Sequence, residues 1–149
     1  MNLIRRCMIP SLIFLTLTTV SCAVHPPGQP AAQPLRLRVL TYNIHHGEGT
    51  DKSLDLPRIA KIITDSKADL VALQEVDNKT RRTNNVDQTA EFAKLTGLQG
   101  VFGKAMNYGG GEYGEAILSR FPIVEHKTHA LPFTQGREPR PALEITVHP

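Results

Sequence analysis

The sequence predicts an α/β fold: a mixed sheet with helices on one face. Three observations predict it. Strand-like segments at residues 35–42, 69–74 and 98–102 are separated by two segments of helical period, 55–66 and 87–96. Beyond Tyr108 the helical period stops. Residues 116–119, 123–131 and 142–148 are strand-like there, between turns carrying Pro122, Pro132, Pro139 and Pro141. Strand–helix–strand–helix–strand followed by consecutive strands is the pattern of a mixed sheet with helices segregated to one side.

Each element has a local reason. Leu35, Leu37 and Val39 alternate with Arg36 and Arg38 before the chain turns apolar toward Tyr42, a strand signature. Residues 43–53 are polar and contain Gly47 and Gly49, so they read as a loop. In 55–66, Leu56, Ile59, Ile62 and Ile63 share a helical face, and Pro57 sits in the first turn, where its missing N–H is tolerated. Residues 69–74 form a short apolar run, expected as a buried strand. Residues 76–85 are polar and read as a second loop. Residues 87–96 form a helix closed by Gly97 as its C-cap. Residues 108–114 are glycine-rich. Gly109-Gly110-Gly111 has the backbone N–H groups to cradle a phosphate. It lacks the following helix and lysine of a P-loop, so a flexible loop is expected.

The N-terminus carries a different signal. Residues 1–21 read as an export signal: Arg5 and Arg6 precede an apolar stretch at 9–20. That stretch is shorter than the roughly 20 apolar residues a spanning helix needs. Cys22 follows Thr19-Val20-Ser21 and resembles a bacterial lipobox, with Thr19 where Leu is usual. Lipidation there would make the chain an exported lipoprotein of the periplasm or cell envelope, anchored to the membrane without spanning it. The alternative is an ordinary signal peptide cut nearby. Residues 22–34, with Pro26, Pro27, Pro30 and Pro34, read as an extended tether, and the folded domain is expected from residue 35 to 149.

Cys7 and Cys22 are the only cysteines, so the mature domain relies on burial rather than a disulfide. There are 17 basic residues against 14 acidic, and without Arg5 and Arg6 the count is 15 against 14. This near-balance does not support tight nucleic-acid binding, which depends on neutralising phosphates. With no Trp and five Phe, no aromatic stacking cluster stands out. No protein partner is inferred.

Two polar residues end apolar strands: Asn43 after 39–42 and Glu75 after 70–74. If the 55–66 helix is the crossover between neighbouring strands, both emerge at one end of the sheet. A carboxylate and an amide oxygen there suit a hard cation such as Mg²⁺. Spacing alone leaves the plainer alternative, a polar strand end facing solvent, as the commoner case.

Three motifs, taken together, carry a resemblance. Thr41-Tyr42-Asn43-Ile44-His45-His46-Gly47, Leu73-Gln74-Glu75-Val76 and Tyr113-Gly114-Glu115-Ala116-Ile117-Leu118-Ser119-Arg120 resemble, in order, the first three motifs of the endonuclease/exonuclease/phosphatase superfamily. The likeness runs from Leu35 to Val147 and is nearest to the secreted bacterial branch of these metal-dependent hydrolases. It implies a DNase I-like α/β/β/α sandwich and a Mg²⁺- or Mn²⁺-dependent hydrolysis of phosphate esters. It implies that Glu75 is the principal metal carboxylate and that Asn43 shares the metal and substrate site. Tyr113 would contact the substrate phosphate. Glu115 stands where several nucleases carry a carboxylate that orients a histidine and many relatives carry Asn. Either Arg137 or Arg140 would match the family arginine that faces the phosphate. Arg140 is favoured as the catalytic one because it lies nearer the following strand, with Arg137 a substrate contact.

Other residues are weaker candidates. His45 and His46 neighbour Asn43, but adjacent side chains diverge on an extended chain, which argues against a joint metal site. Arg81 and Arg82 could steer a phosphate, with an exposed loop pair as the plainer expectation. The family's Gly-Asp-Phe-Asn-like motif and terminal Asp-His pair have no counterpart in this sequence, and His148 matches neither. The expectation is therefore the N-terminal half of such an enzyme, inactive alone and marginally folded. The competing expectation is a non-catalytic surface lipoprotein that keeps the fold for binding. The substrate is not legible, because selectivity lies in loops.

Overall fold

The computed structural model describes residues 34–149. The expected export signal, Cys7, Cys22 and all of the tether except Pro34 lie outside the described residues. The elements follow in chain order as β1 (Val39–Asn43), α1 (Leu56–Ser66), β2 (Leu70–Asn78), α2 (Gln88–Thr96), β3 (Gln99–Tyr108), β4 (Gly111–Ser119), β5 (Ile123–Ala130) and β6 (Pro141–Val147). One sheet has the order β1-β2-β4-β3, and β5 and β6 form a second, two-stranded sheet. β1 and β2 are parallel because α1 carries the chain back between them, whereas the remaining pairs are antiparallel. The sheet is mixed, as the sequence predicts.

Both helices begin on an aspartate cap. Asp55 accepts from the Arg58 amide (2.9 Å) and Asp87 from that of Ala90 (3.0 Å), each satisfying a first-turn N–H that has no partner inside the helix. Both end in a left-handed residue: Lys67 at φ 53° and Gly97 at φ 73°. The buried stripe of α1 is Ile59, Ala60 and Ile63. Ile62, expected on that stripe, is 44% exposed instead. It lies 100° around the helix from Ile63, so a stripe centred on Ile63 and Ile59 leaves it at the margin. α2 inserts Phe92, which is fully buried and contributes roughly 1.5–3 kcal/mol by leaving water.

The core joins these helix residues to Val71, Leu73 and Val76 of β2 and to Ala116 and Leu118 of β4. On the opposite face of the four-stranded sheet, the hairpin of β5 and β6 packs over β3 and β4, while Val39 of β1 stays exposed. There Leu143 of β6 lies so close to Gly103 of β3 that a side chain on Gly103 would press on it. The layering is therefore helices, sheet, sheet.

Two expected loops are shorter than their composition implies. β2 does not stop at Gln74 but continues to Asn78, and β3 runs on to Tyr108. The glycine-rich 108–114 segment is a tight hairpin rather than a flexible loop. Tyr108 pairs with Gly111, and the two residues between them have φ 55° and 89°, the double positive φ of a hairpin turn matched to strand twist. The Gly109 carbonyl accepts from the Arg81 amide (2.9 Å). A side chain at Gly111 would run into the Asn78 carbonyl. Composition marks the glycines as loop-like, but they serve close backbone approach.

Candidate metal and phosphate site

The centre of the site is a defect in the sheet. Across β2 and β4, Gln74 pairs with Glu115 and Val76 with Gly114, leaving Glu75 as an extra residue with no ladder partner. On the other side of β4, Lys104 pairs with Gly114 and Met106 with Tyr113, leaving Ala105 extra in β3. Gly114 thus sits between two bulges. A Cβ there would overlap the Gly103 carbonyl oxygen, so the close approach needs glycine.

The bulge changes what Glu75 can do. Side chains alternate along a strand, so without an insertion position 75 would follow Val71 and Leu73 into the helix-side core. With it, Val76 takes that core position and is fully buried, which frees the Glu75 carboxylate from the core. The cost is backbone strain. Glu75 has φ 60°, a left-handed conformation that costs a residue with a side chain roughly 1–2 kcal/mol. Strain of this kind concentrates at functional sites.

Asn43 and Glu75 meet at the C-terminal end of β1. Asn43 Nδ2 donates to Glu75 Oε1 (2.9 Å), and Asn43 Oδ1 accepts from the His45 amide (2.9 Å). Asn43 therefore aims Glu75 while its own oxygen caps the following turn. In that turn His45 and His46 both have positive φ, 47° and 43°. His46 is buried, and its pKa is pushed below the ordinary histidine value by that burial, then by the nearby Arg82 charge and His45.

Tyr113 and Arg140 also come together. Arg140 Nη1 donates to the Tyr113 hydroxyl (3.4 Å), and Arg140 Nη2 pairs with Glu138 (3.3 Å). Burial first, then the hydrogen bond with Glu138 and the Glu75 charge, pushes the Tyr113 hydroxyl up to about 12. Glu115 is half-buried, which raises its pKa, and Arg140 is the charged neighbour that counters this. Arg137 lies exposed in the loop before β6, where its amide closes a turn on Thr134 (3.0 Å). The structure brings Arg140 to Tyr113 and leaves Arg137 apart.

Glu75, Tyr113, Tyr108, His45, His46 and Arg82 line one cleft of about 190 Å³. Arg82 is exposed, as the polar loop composition implies, but its guanidinium is anchored. Its side chain is 32% exposed and forks onto the fully buried carboxylate of Asp77 through Nε and Nη2, both at 2.7 Å. Sequence reasoning missed Asp77 and Gln88. Gln88 accepts from the Asp77 amide (2.9 Å) and donates to the His46 carbonyl (2.7 Å). It thereby ties α2 to both the bulged strand and the histidine turn. The signal that could have found Asp77 and Arg82 is their spacing directly after Glu75, an acid and a base five residues apart in a polar segment.

The donors present suit a hard cation. Glu75 presents a carboxylate at the strand bulge, held by an amide. Among the described residues no group of three or more His, Cys, Asp or Glu converges as a metal cage. A cation here would rest on the Glu75 carboxylate, with water and substrate oxygens completing its shell, the arrangement Mg²⁺ commonly takes.

Helices over a mixed sheet, a second sheet beneath, and a strained carboxylate beside an asparagine describe a layered α/β scaffold with a polar cluster at one sheet end. Residues 40–147 match the Endonuclease/Exonuclease/phosphatase family, and the chain belongs to that family. It is 30% identical over 125 residues to Escherichia coli K12 "Uncharacterized protein YbhP", an alignment covering 78% of this chain and 49% of that one. The chain thus spans about half the length of the curated relatives it matches. In structure it is similar to the endonuclease/exonuclease/phosphatase of Beutenbergia cavernae, with TM-score 0.59 and 27% identity over 74% of this chain and 34% of that one. It shares the fold of a family protein from Leptotrichia buccalis, with TM-score 0.56 and 18% identity over 75% of this chain and 50% of that one. The fold is the DNase I-like sandwich type of these neighbours.

Proposed function

We propose that this chain carries the metal-side portion of a divalent-metal-dependent phosphoesterase that hydrolyses a phosphodiester or phosphomonoester. The observation that carries the proposal is the Glu75 bulge: a strained residue whose carboxylate is withheld from the core and aimed by Asn43. Bound Mg²⁺ or Mn²⁺ would supply Lewis-acid stabilisation of phosphoryl oxygens and the leaving group. The chain's own residues hold and orient. Glu75 is the metal carboxylate, and Asn43 fixes its direction and borders the substrate. The Tyr113 hydroxyl, protonated at neutral pH like any tyrosine, is able to donate to a phosphate oxygen. Arg140, bonded to that hydroxyl, adds positive charge where phosphoryl charge develops.

None of these groups activates water, so the 149-residue chain alone is expected to turn over no substrate. Residues 1–21 and Cys22 complete the proposal as an export signal and a lipid attachment. Incorporation of labelled palmitate, lost in Cys22→Ser, tests that part.

The central test is metal binding by the purified chain, read as Mn²⁺ electron paramagnetic resonance or Mg²⁺ calorimetry. Glu75→Gln keeps the shape and removes the charge. Loss of binding with an unchanged circular dichroism spectrum supports the site. Equal binding by Glu75→Gln would remove Glu75 from the metal and end the proposal.

A further inference from the structure

The Asp77–Arg82 pair is the feature of the cleft that the metal site does not use. Asp77 is fully buried, and its carboxylate accepts three hydrogen bonds. Oδ2 accepts from Arg82 Nε (2.7 Å) and from the Thr80 hydroxyl (2.5 Å), and Oδ1 accepts from Arg82 Nη2 (2.7 Å). Burying such a pair costs desolvation that often matches its attraction, so stability alone is a weak reason to keep it. A guanidinium has five N–H donors, and two of these are taken by Asp77. One from Nη1 faces the Tyr108 hydroxyl at 3.5 Å, the outer limit of a hydrogen bond. Arg82 itself lines the cleft shared with Glu75 and Tyr113.

The guanidinium plane is fixed as well. Arg82 Cζ lies 4.4 Å from the Tyr108 ring centroid and 5.7 Å from that of Tyr113. An arginine forked on a carboxylate and stacked on an aromatic ring has already lost its rotamer freedom, so an incoming anion need not order it. Arg140 differs. It is 49% exposed, sits at the end of the loop before β6, and pairs with Glu138 two residues away. Glu75 and Glu138 both border this cleft. An anion therefore enters against two carboxylates and needs a fixed cation.

We propose that Arg82 is a second anion-binding group of the cleft, whose free N–H edge takes a phosphate oxygen of the substrate, and that Asp77 is the positioning residue that fixes it. This deepens the phosphoesterase proposal and rests on it for the choice of phosphate as the anion. Arg82 contributes binding and orientation, separate from metal retention by Glu75.

The test uses the whole 149-residue chain and inorganic phosphate. In the wild-type protein the side-chain Nε resonance of Arg82, assigned by its loss in Arg82→Lys, should move on titration with phosphate and stay in place with chloride at equal ionic strength. Arg82→Lys keeps the charge but not the fork, and should weaken phosphate binding about tenfold or more, the size of one charge-assisted hydrogen bond. Its Mg²⁺ affinity without phosphate should match wild type, whereas Glu75→Gln should lose Mg²⁺. The two proposals therefore fail separately. A stationary Arg82 resonance overturns this one, as does equal phosphate affinity in a folded Arg82→Lys or the absence of any phosphate binding by wild type. If Arg82→Lys does not fold, the wild-type resonance alone decides.

Discussion

Asn43 and Glu75, 32 residues apart in sequence, are joined by a 2.9 Å hydrogen bond from the asparagine amide to the glutamate carboxylate. The bond exists because two strand ends lie side by side and one of them is bulged. Parallel pairing sets Asn43 opposite Gln74. Glu75 is the next residue, the one inserted in the ladder. A regular strand would point its carboxylate into the apolar layer under the helices, where an unpaired charge is costly.

The strain at Glu75 can be read directly. Glu75→Ala keeps a Cβ at φ 60°, and Glu75→Gly does not. Glu75→Gly should be more stable than Glu75→Ala by about 1 kcal/mol, measured by urea unfolding. If the alanine variant is the more stable, the left-handed backbone at this position is not strained.

Gly114 is expected to be the least replaceable residue of β4. Gly114→Ala drives a Cβ onto the Gly103 carbonyl. Overpacking of this kind costs about 1–3 kcal/mol or more. The two bulges flanking Gly114 should shift with it, moving Tyr113 and Glu75. Thermal unfolding and the amide spectrum of β2 and β3 check this, and an unchanged spectrum would rule it out.

Removal of Asp77 leaves Arg82 without its partner. Breaking a buried pair costs roughly 3–5 kcal/mol, discounted here because the Arg82 side chain is a third exposed. Asp77→Ala should therefore lose about 2–4 kcal/mol. The double variant Asp77→Ala with Arg82→Met should recover part of that loss, because no charge is then stranded. A double variant no better than the single would show that the ion pair is not the source of the cost.

Tyr113 predicts an alkaline effect with a definite sign. Its folded pKa is raised to about 12 from an ordinary 10.0. A raised pKa means that the fold favours the protonated hydroxyl. That stabilisation is complete below pH 10 and is lost as the pH climbs through about 12. Tyrosinate absorbance should show a late component that Tyr113→Phe removes, and the variant should lose stability less steeply over that window. Equal late absorbance in Tyr113→Phe would assign the shift to another tyrosine.

Periodicity was enough to find both helices and every strand, because these depend on side chains a few residues apart. The aspartate caps, the Gly97 stop and the mixed sheet all follow from such local rules. The three ordered motifs brought Asn43, Glu75 and Tyr113 forward as a group. Composition misled where glycines and polar residues serve close backbone approach, as in the hairpin turn at Gly109 and Gly110. It misled again after Glu75, where a polar segment that looked solvated hides the buried carboxylate of Asp77.

The sequence by itself determined the family and the α/β layering, and brought Asn43, Glu75, Tyr113 and Arg140 forward as candidates. Only the tertiary structure decided how they are arranged. It placed the bulge that turns Glu75 out of the core, set Gly114 between two bulged strands, drew Arg140 rather than Arg137 onto Tyr113, and locked Arg82 on Asp77. These outcomes depend on register and on contacts between residues distant in the chain. A one-residue shift in pairing reverses the face of every side chain beyond it, and no local pattern in the sequence encodes that shift.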